Sequence, residues 1–511
     1  MYLLLDSSAI YESEVQFVTW NQCYLNSYKE IIKNIRKLQG IAVGFNTNLD
    51  AIIEFRGKDI LELINQLKID TFSLYTKIIE WKGTINEPLD YVTGLCGCFE
   101  KGKASEWLIK DKDTYNYLLE NLPPAKSIRI GGQAGIMSNV LTNLGVPKVV
   151  VHTTTLSEEM KNRFNKGKNL VLPLYDNKNN LTFIHPRRAK GLDESLYLHL
   201  ISEVKKNDTL KIDDRMNWRC PRSNRFISTY DPPNTEMHLM KAFSDDIELL
   251  AQQIDGMLLS GFHMLDSEEL GENGVVERIT EILSLIKRAK EANPELIVHL
   301  EAASTKSELI LEQLYNLSLK DNYWDSIGCN ERELVEILRS IGEKRFGNEL
   351  RKSFSQDKVV EGCLKIVEKL NLKRFHLHQH GCYLLITQKD YFDDTTHLKY
   401  SQCFSSLVTA EKALIGEASN KLDYKLLLRE INPDENISKT YKQLTRAVAK
   451  ITGKSNNEIF NTGVSENSDY YLISTPSIMI DHPVFTVGLG DTVSASAFVA
   501  ELAYKKKKNE K

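Results

Sequence analysis

Hydrophobic and polar positions change rhythm several times along this chain. Residues 1–40 follow a helical, polar-faced pattern, and "SYKEIIKNIRKLQG" closes on Gly40 as a C-cap. The run "IAVGFNTNLDAIIEF" (41–55) predicts a short strand that stops in a polar Asn/Thr/Asn/Asp turn. Residues 56–125 are mixed and charged. "SIRIGGQAGIMSNVLTNLG" then reads as strand, double glycine and a helix closed by Gly145, with "PKVVVHTTTL" as the next strand. Between 160 and 235 helical periodicity is lost, and strand-like pieces appear ("NLVLPLY", "NLTFIHP", "LYLHLISEV", "NRFIST"). From about residue 240 the strand candidates "GMLLSGFHML", "ELIVHLEAAS", "WDSIGCNE", "RFHLHQHGCYLLIT" and "PVFTVG" alternate with amphipathic helical stretches.

Strand–helix alternation predicts an α/β protein with a doubly wound, mostly parallel sheet flanked by helices. Two insertions interrupt it and are expected to form a smaller β-rich lid domain. The expected boundaries are a helical extension at 1–40, a large body from 41–55, 126–159 and 236–505, a lid from 56–125 and 160–235, and a basic tail at 506–511. A chain of 511 residues suits two or three domains at about 100–200 residues each.

Bulk composition narrows the function classes. A formal net charge of −4 gives no field for nucleic acid or an anionic membrane surface. The Lys-rich end "KKKKNEK" reads as a solvated terminus. The start has no basic n-region, and no stretch approaches the roughly 18 apolar residues of a spanning helix. The 8 cysteines are scattered, and Cys96 and Cys98 are too close for a zinc knuckle. Reduced thiols in a cytoplasmic protein are expected.

Candidate chemistry falls where strands end, which is where open parallel sheets gather ligands. In "HPVFTVGLGDTVSASAF" (482–498), Gly488 and Gly490 permit a tight turn, and a following helix start offers free amides to an anion. Val493 stands where a dinucleotide fingerprint wants glycine, and no Gly-Lys-Ser/Thr is present. Asp491 reads on spacing as an N-cap, or as a base beside those amides. Asn48 and Asp50 are turn formers or partners for sugar hydroxyls. Gly131, Gly132 and Gln133 form a strand-to-helix turn that leaves room for a ring. Glu301 and Glu333 each close a strand candidate, and Asn330 with Glu333 also fits a capping box. His376, His378 and His380 alternate as on one strand face.

These segments carry a family resemblance. "VGLGDTVSASAF" resembles the Gly-x-Gly-Asp signature of ribokinase-like sugar kinases. More narrowly, "GFNTNLDAI", "GKASEW", "RIGGQAGIMSN", "YLHLISE", "NRFI", "LSGFHML", "VHLEAAS", "SIGCNEREL" and "FTVGLGD" occur in the order of the ADP-dependent glucokinase/phosphofructokinase family. The resemblance implies a ribokinase-like fold, Asp491 as catalytic base, and Gly488, Leu489 and Gly490 as its anion hole. It implies hexose contacts from Asn48, Asp50, Gly131, Gly132, Gln133, His199 and Glu106, the last being the glutamate of the glucose-using members. Arg225 is implied as a phosphate contact, and Glu301, Glu333 and Asp491 as organisers of Mg²⁺. The family's His-Thr pair near adenine is here His378-Gln379, so His378 is carried over as a nucleotide contact on half of that motif.

The expected reaction is transfer of the β-phosphoryl group of ADP to the 6-hydroxyl of glucose, giving glucose 6-phosphate and AMP in glycolysis. A phosphofructokinase or bifunctional enzyme is the near alternative, and a non-catalytic sugar or nucleotide sensor the distant one. Expected partners are a hexose and ADP, without nucleic acid or membrane, in a monomer or small homo-oligomer.

Overall fold

The apolar run 41–55 does not make one strand. It makes two, Ile41–Gly44 and Asn48–Phe55, which belong to different sheets. The computed structural model describes residues 19–81, 83–305, 307–418 and 424–509.

The larger sheet has eleven strands. Leu170–Tyr175, Val149–Val151, Ile41–Gly44, Gly256–Leu259, Ile297–Glu301, Ser326–Cys329 and Arg374–Gln379 run parallel side by side. Their short runs (IAVG, GMLL, IVHLE, SIGC) are buried at every position, because helices cover both faces. Antiparallel strands finish the edges: Leu181–Ile184 on one side, and Cys382–Gln388, Tyr470–Pro476 and Val464–Glu466 on the other.

The smaller sheet orders Thr84–Ile85, Ser105–Ile109, Asn224–Thr229, Leu198–Val204, Asn48–Phe55 and Ser127–Gly131. Its strands alternate cleanly. Ala51, Ile53, Phe55, Leu200, Val204 and Phe226 form a second apolar core under the helices of residues 57–121, while the opposite side chains look toward the parallel sheet.

Several sequence expectations are corrected here. Asn48–Phe55 and Ser127–Gly131 fall in segments expected for the large body yet are strands of the smaller sheet. Leu170–Tyr175 and Leu181–Ile184, expected in the lid, extend the larger one. Leu170 and Leu172 are fully buried in the main core, which decides where that hairpin packs. The segment 56–125 is mostly helical, with Gly57–Gln66, Thr71–Glu80, Pro88–Lys101 and Lys112–Asn121. Its dense charges obscured good caps: Asp70 and Asp111 each accept an amide of the first turn. "RFHLHQHGCYLLIT" is a hairpin that turns at Gly381 (φ +95°), not one strand. Residues 482–488 form a loop where "PVFTVG" predicted a strand.

The N-terminal helix Trp20–Ile35 is also no appendage. Trp20, Tyr24, Ile31 and Ile35 are buried in the main core, packed against helices Thr395–Ile415 and Leu489–Asn509. Residues 1–18 of the expected extension, and the side chains of the 506–511 tail, lie outside the described residues.

One polar feature crosses this core. Arg374 and Glu501, 0% and 1% exposed at their side chains, form a two-pronged ion pair at 2.6 and 2.9 Å. Ser326, Ser401 and Gln402 donate or accept around it. Removing one partner strands a buried charge. Glu501→Gln is therefore expected to cost about 3–5 kcal/mol in urea unfolding; a loss below 1 kcal/mol would show that the pair is not carrying that charge balance.

Candidate functional site

The two sheets meet around a cavity of about 440 Å³ at the carboxyl ends of the parallel strands. Every site residue singled out from the sequence lines it: Asn48, Asp50, Glu106, Gly132, Gln133, His199, Arg225, Glu301, Glu333, His378 and 488–491. Gly131 is the exception in that wall, and it sits directly behind Asp50.

Strand register assembles the lid side. Asp50 pairs with Arg129 on one neighbouring strand and with His199 on the other, so the three stand in a row. Arg225, Ile227 and Glu106 continue the same face through strands Asn224–Thr229 and Ser105–Ile109. Asp50 is thus inside a strand rather than in the expected turn. It accepts Asn48 Nδ2 at 3.1 Å. Burial raises its pKa, opposed by His199, Arg129 and Asn48. His199 Nε2 donates to Asp231 Oδ2 at 3.0 Å. Burial works against charge on this imidazole, but Asp231, Asp50 and Glu106 together raise its pKa above the ordinary value. Glu106 is exposed to the cavity and accepts Thr229 Oγ1 at 3.3 Å.

Glycines at the next turn have a steric reason. A Cβ on Gly131 would lie 2.2 Å from Asp50 Oδ1, and one on Gly132 would lie 2.2 Å from the Asn46 carbonyl. Gly132 also has φ +70°. Gln133 begins helix Gln133–Leu144, and its Oε1 accepts the Gly261 amide at 3.0 Å.

On the body side, the 489–509 helix starts at Leu489, and Gly488 (φ +69°) is the residue before it. The Gly488 carbonyl accepts Thr492 N at 3.1 Å and Thr492 Oγ1 at 2.7 Å. The N-cap reading of Asp491 is therefore corrected: Asp491 lies in the first turn and leaves its carboxylate to the cavity. First-turn amides have no intrahelical acceptor, so those at 489–491 remain available to an anion. Burial and the charge of Glu301 push Asp491 up to about 6, with Lys412, His378 and Gln133 pulling it back. A helix start by itself favours an ionised carboxylate; desolvation outweighs it here. Ser494, Ala495, Ser496 and Ala497 are fully buried, and a Cβ on the facing Gly328 would meet Ser494 Oγ at 2.6 Å. Small residues let this helix lie close to the strand ends.

Glu301, at the end of its strand, accepts His378 Nε2 at 3.0 Å on one oxygen and His299 and Ser494 on the other. Burial opposes its charge, yet His378 and His299 hold it at about 2. His378 is raised to about 9: burial disfavours the cation, and Glu301 overrides it. His378 thus stands against Glu301 and beside Gly490. Glu333 closes a capping box with Asn330, accepting its amide and Nδ2 at 2.8 Å each. Burial pushes it up to about 8. Both carboxylates already accept protein donors at each oxygen. Mg²⁺ often keeps several waters and needs only one or two carboxylates, so these two side chains could hold one through its water shell. Among the described residues no group of three His, Cys, Asp or Glu side chains forms a direct cage, and His380 is exposed in the hairpin turn.

Sequence reasoning missed Asp231, His263 and Lys412. Asp231 orients His199 from 32 residues away, and His263 lines the cavity with a buried, unpartnered Nδ1 among the described residues. Lys412 lies near the end of helix Thr395–Ile415, which is buried on most of its sides. None belongs to a local motif; only the fold brings them in.

Comparison with known proteins agrees over most of the chain. A family model described as the ADP-specific phosphofructokinase/glucokinase conserved region matches residues 39–500. An ADP-dependent glucose/glucosamine kinase of Pyrococcus furiosus is 30% identical over 490 residues, covering 95% of this chain and 99% of its own. An ADP-specific phosphofructokinase of Methanosarcina acetivorans is 28% identical over 501 residues, covering 96% and 98%. Among solved structures, an ADP-dependent kinase in complex with fructose-6-phosphate and ADPbetaS superimposes with a TM-score of 0.78 at 28% identity, covering 95% and 98%. No helix among the described residues is long and apolar enough to cross a membrane.

The glycine geometry is directly testable. Gly132→Ala places a methyl against a backbone carbonyl at positive φ and is expected to cost about 1–3 kcal/mol by chemical denaturation. Wild-type stability in that variant would mean the turn is not held as described.

Proposed function

The chain belongs to the ADP-specific phosphofructokinase/glucokinase family, and we propose that within it this protein is a glucokinase, moving the β-phosphoryl group of ADP to the 6-hydroxyl of glucose. Its fold is ribokinase-like and it is an ADP-dependent sugar kinase by family; the acceptor and the residue roles are the proposal. One observation carries it. Asp491 and the free amides of its helix turn share a single cavity with a wall of hydroxyl-binding groups, namely Asp50, Gln133, His199 and Glu106.

The hexose lies between the two sheets. Asn48, Asp50 and His199 hold its hydroxyls, Gly132 lets the ring approach while Gly131 leaves room for Asp50, and Gln133 fixes both Asp491 and the neighbouring loop. Asp491, ionised at neutral pH, accepts the proton of the attacking 6-hydroxyl. The 488–490 turn receives the charge that develops on the transferred group, and Arg225 approaches it from the lid with forked donors. Glu301 and Glu333 would hold Mg²⁺, which would supply further neutralisation of charge on the phosphoryl oxygens when bound. Closure of the lid face over the cavity keeps water from taking the hydroxyl's place.

The choice of glucose rests on the lid wall. Glu106 and Asp50 suit the hydroxyls or an amine of a neutral or cationic hexose and would repel a second phosphate beside them. The phosphofructokinase reading is supported by relatives of that name, and the assay decides between the two. Purified protein with ADP and Mg²⁺ is expected to form AMP faster with glucose than with fructose 6-phosphate, with glucosamine as a third arm. A preference for fructose 6-phosphate, or activity with ATP alone, would overturn the acceptor or donor assignment respectively. Glu106→Ala is expected to lower kcat/KM for glucose by about 10- to 100-fold, as loss of a hydrogen bond to a charged acceptor does.

Asp491 provides the second test. A base with pKa near 6 is competent when deprotonated, so kcat/KM should be flat above that value and fall about tenfold per pH unit below it. Asp491→Asn is expected to reduce kcat by several orders of magnitude while glucose binding stays near wild type. Retained turnover in that variant would remove Asp491 from its role.

A further inference from the structure

Behind the anion-binding turn lies a lysine that no local motif announces. Lys412 sits near the end of helix Thr395–Ile415 and is 8% exposed. Its Nζ donates to the Gly488 carbonyl at 3.2 Å. Among the described residues no carboxylate lies within ion-pair distance of it; Asp491 and Asp50 act on it only from farther away. A buried ammonium is costly unless it is paired, so its retention calls for a specific use.

The use follows from what Gly488 does. That residue ends the loop and begins the 489–509 helix, and its carbonyl takes three donors: Thr492 N, Thr492 Oγ1 and Lys412 Nζ. The two Thr492 bonds belong to the helix itself. Of these three donors only Lys412 Nζ comes from another element. A Cβ on Gly488 would lie 3.0 Å from Nζ and 2.6 Å from Ile136 Cδ1, so the turn is wedged as well as bonded. Rotation of the Gly488 peptide would aim its carbonyl dipole toward an incoming anion and tilt the amides away from it.

We propose that Lys412 is a positioning residue: its ammonium pins the Gly488 carbonyl away from the cavity, so that the 489–491 amides and Asp491 face the transferring phosphoryl group. This rests on the phosphotransferase reading for its kinetic consequence and on geometry alone for its structural one. The burial that brings Lys412 down to about 8 leaves it largely charged at neutral pH, as the role requires.

A second cavity, of about 330 Å³, reaches Lys412 from the side of Arg129, Asn139 and Arg163 and shares Asp50, Ile136 and Val487 with the reaction cavity. It gives a small amine a path to the place vacated in a Lys412→Ala variant.

The test combines kinetics with hydrogen exchange. Lys412→Met keeps the apolar stem and removes the charge. It is expected to lower kcat about 30- to 300-fold, with KM for glucose within threefold of wild type. Propylamine added to Lys412→Ala should restore at least tenfold of the lost rate. In Lys412→Met, amide exchange over residues 486–493 should quicken at least tenfold, while the core strand 256–259 is unchanged. A kcat within threefold of wild type overturns the proposal, as does unchanged exchange at 486–493. A fall in stability with accelerated exchange in both segments overturns it too, since that marks a general packing role. If the wild-type protein turns over no sugar, the function reading fails, and the exchange measurement alone still decides whether Lys412 holds the turn.

Discussion

The site depends on a junction where the chain passes between two sheets within very few residues. Only 45–47 separate strand Ile41–Gly44 of the parallel sheet from strand Asn48–Phe55 of the smaller one. Backbone groups in such a crossing have no ladder partners and must be satisfied otherwise. Here Phe45 N donates to the Ser260 carbonyl, the Asn46 carbonyl accepts Ala134 N, Thr47 Oγ1 donates to the His152 carbonyl, and Asn234 Nδ2 donates to the Thr47 carbonyl. Phe45 is buried edge-on against His152, Phe243 and Phe262. Two further crossings, at 131–134 and 231–235, supply the Ala134 and Asn234 donors and so bond to Asn46 and Thr47 of this segment. The lid face and the parallel-strand ends therefore hold their spacing because one small polar knot fixes both.

Electrostatics at the reaction end is arranged around that spacing. Glu301 stays ionised because His378 and His299 face it, and His378 stays charged because Glu301 does. His299 passes the contact on to Ser326, which also accepts from Arg374, whose own charge is met by Glu501. Each buried charge thus has an opposite charge or donor, and the chain runs from the cavity to the interface of the 395–415 and 489–509 helices. Asp491 is the group left poised. Burial and Glu301 raise it, and no cation pairs with it directly among the described residues, so its pKa falls where a proton can be both taken and released.

Legibility of this arrangement in the sequence followed locality. Glu301 at its strand end, Glu333 just beyond the next, the Gly-Gly-Gln turn and the Gly-x-Gly-Asp turn could be read because each is a short contiguous pattern, whereas Asp50 was read into a turn and stands inside a strand. The capping box of Asn330 and Glu333 was legible for the same reason. Errors arose where a pattern permitted two partners. The run 41–55 looked like one strand because hydrophobic periodicity does not say which sheet a strand joins. The hairpin at Gly381 was hidden because both arms are buried at all but one position each and so run on as one strand-like stretch. Helices Gly57–Gln66, Thr71–Glu80 and Lys112–Asn121 were obscured because their buried faces are narrow among many charges, and Pro88–Lys101 because it is buried continuously from Tyr91 to Phe99 and so shows no helical period. Asp231, His263 and Lys412 were out of reach altogether: their importance lies in what they touch across the fold.

The division of labour between the sheets has a consequence for how acceptors are chosen. Groups proposed to grip the sugar stand mainly on the smaller sheet, on alternating positions of strands whose other face is a separate apolar core. The proposed base, the amide turn and the acidic residues stand on the parallel sheet and its last helix. A change at position 106 or 225 alters the lid wall without disturbing the packing of either core, because those side chains point into the cavity. The phosphoryl end has no such freedom. Asp491, Glu301 and Ser494 are packed so closely that a single added carbon at Gly328 would collide with two of them. Relatives that share this scaffold carry the names of kinases for different hexoses, which is the outcome expected when one wall can vary and the other is fixed by its own packing.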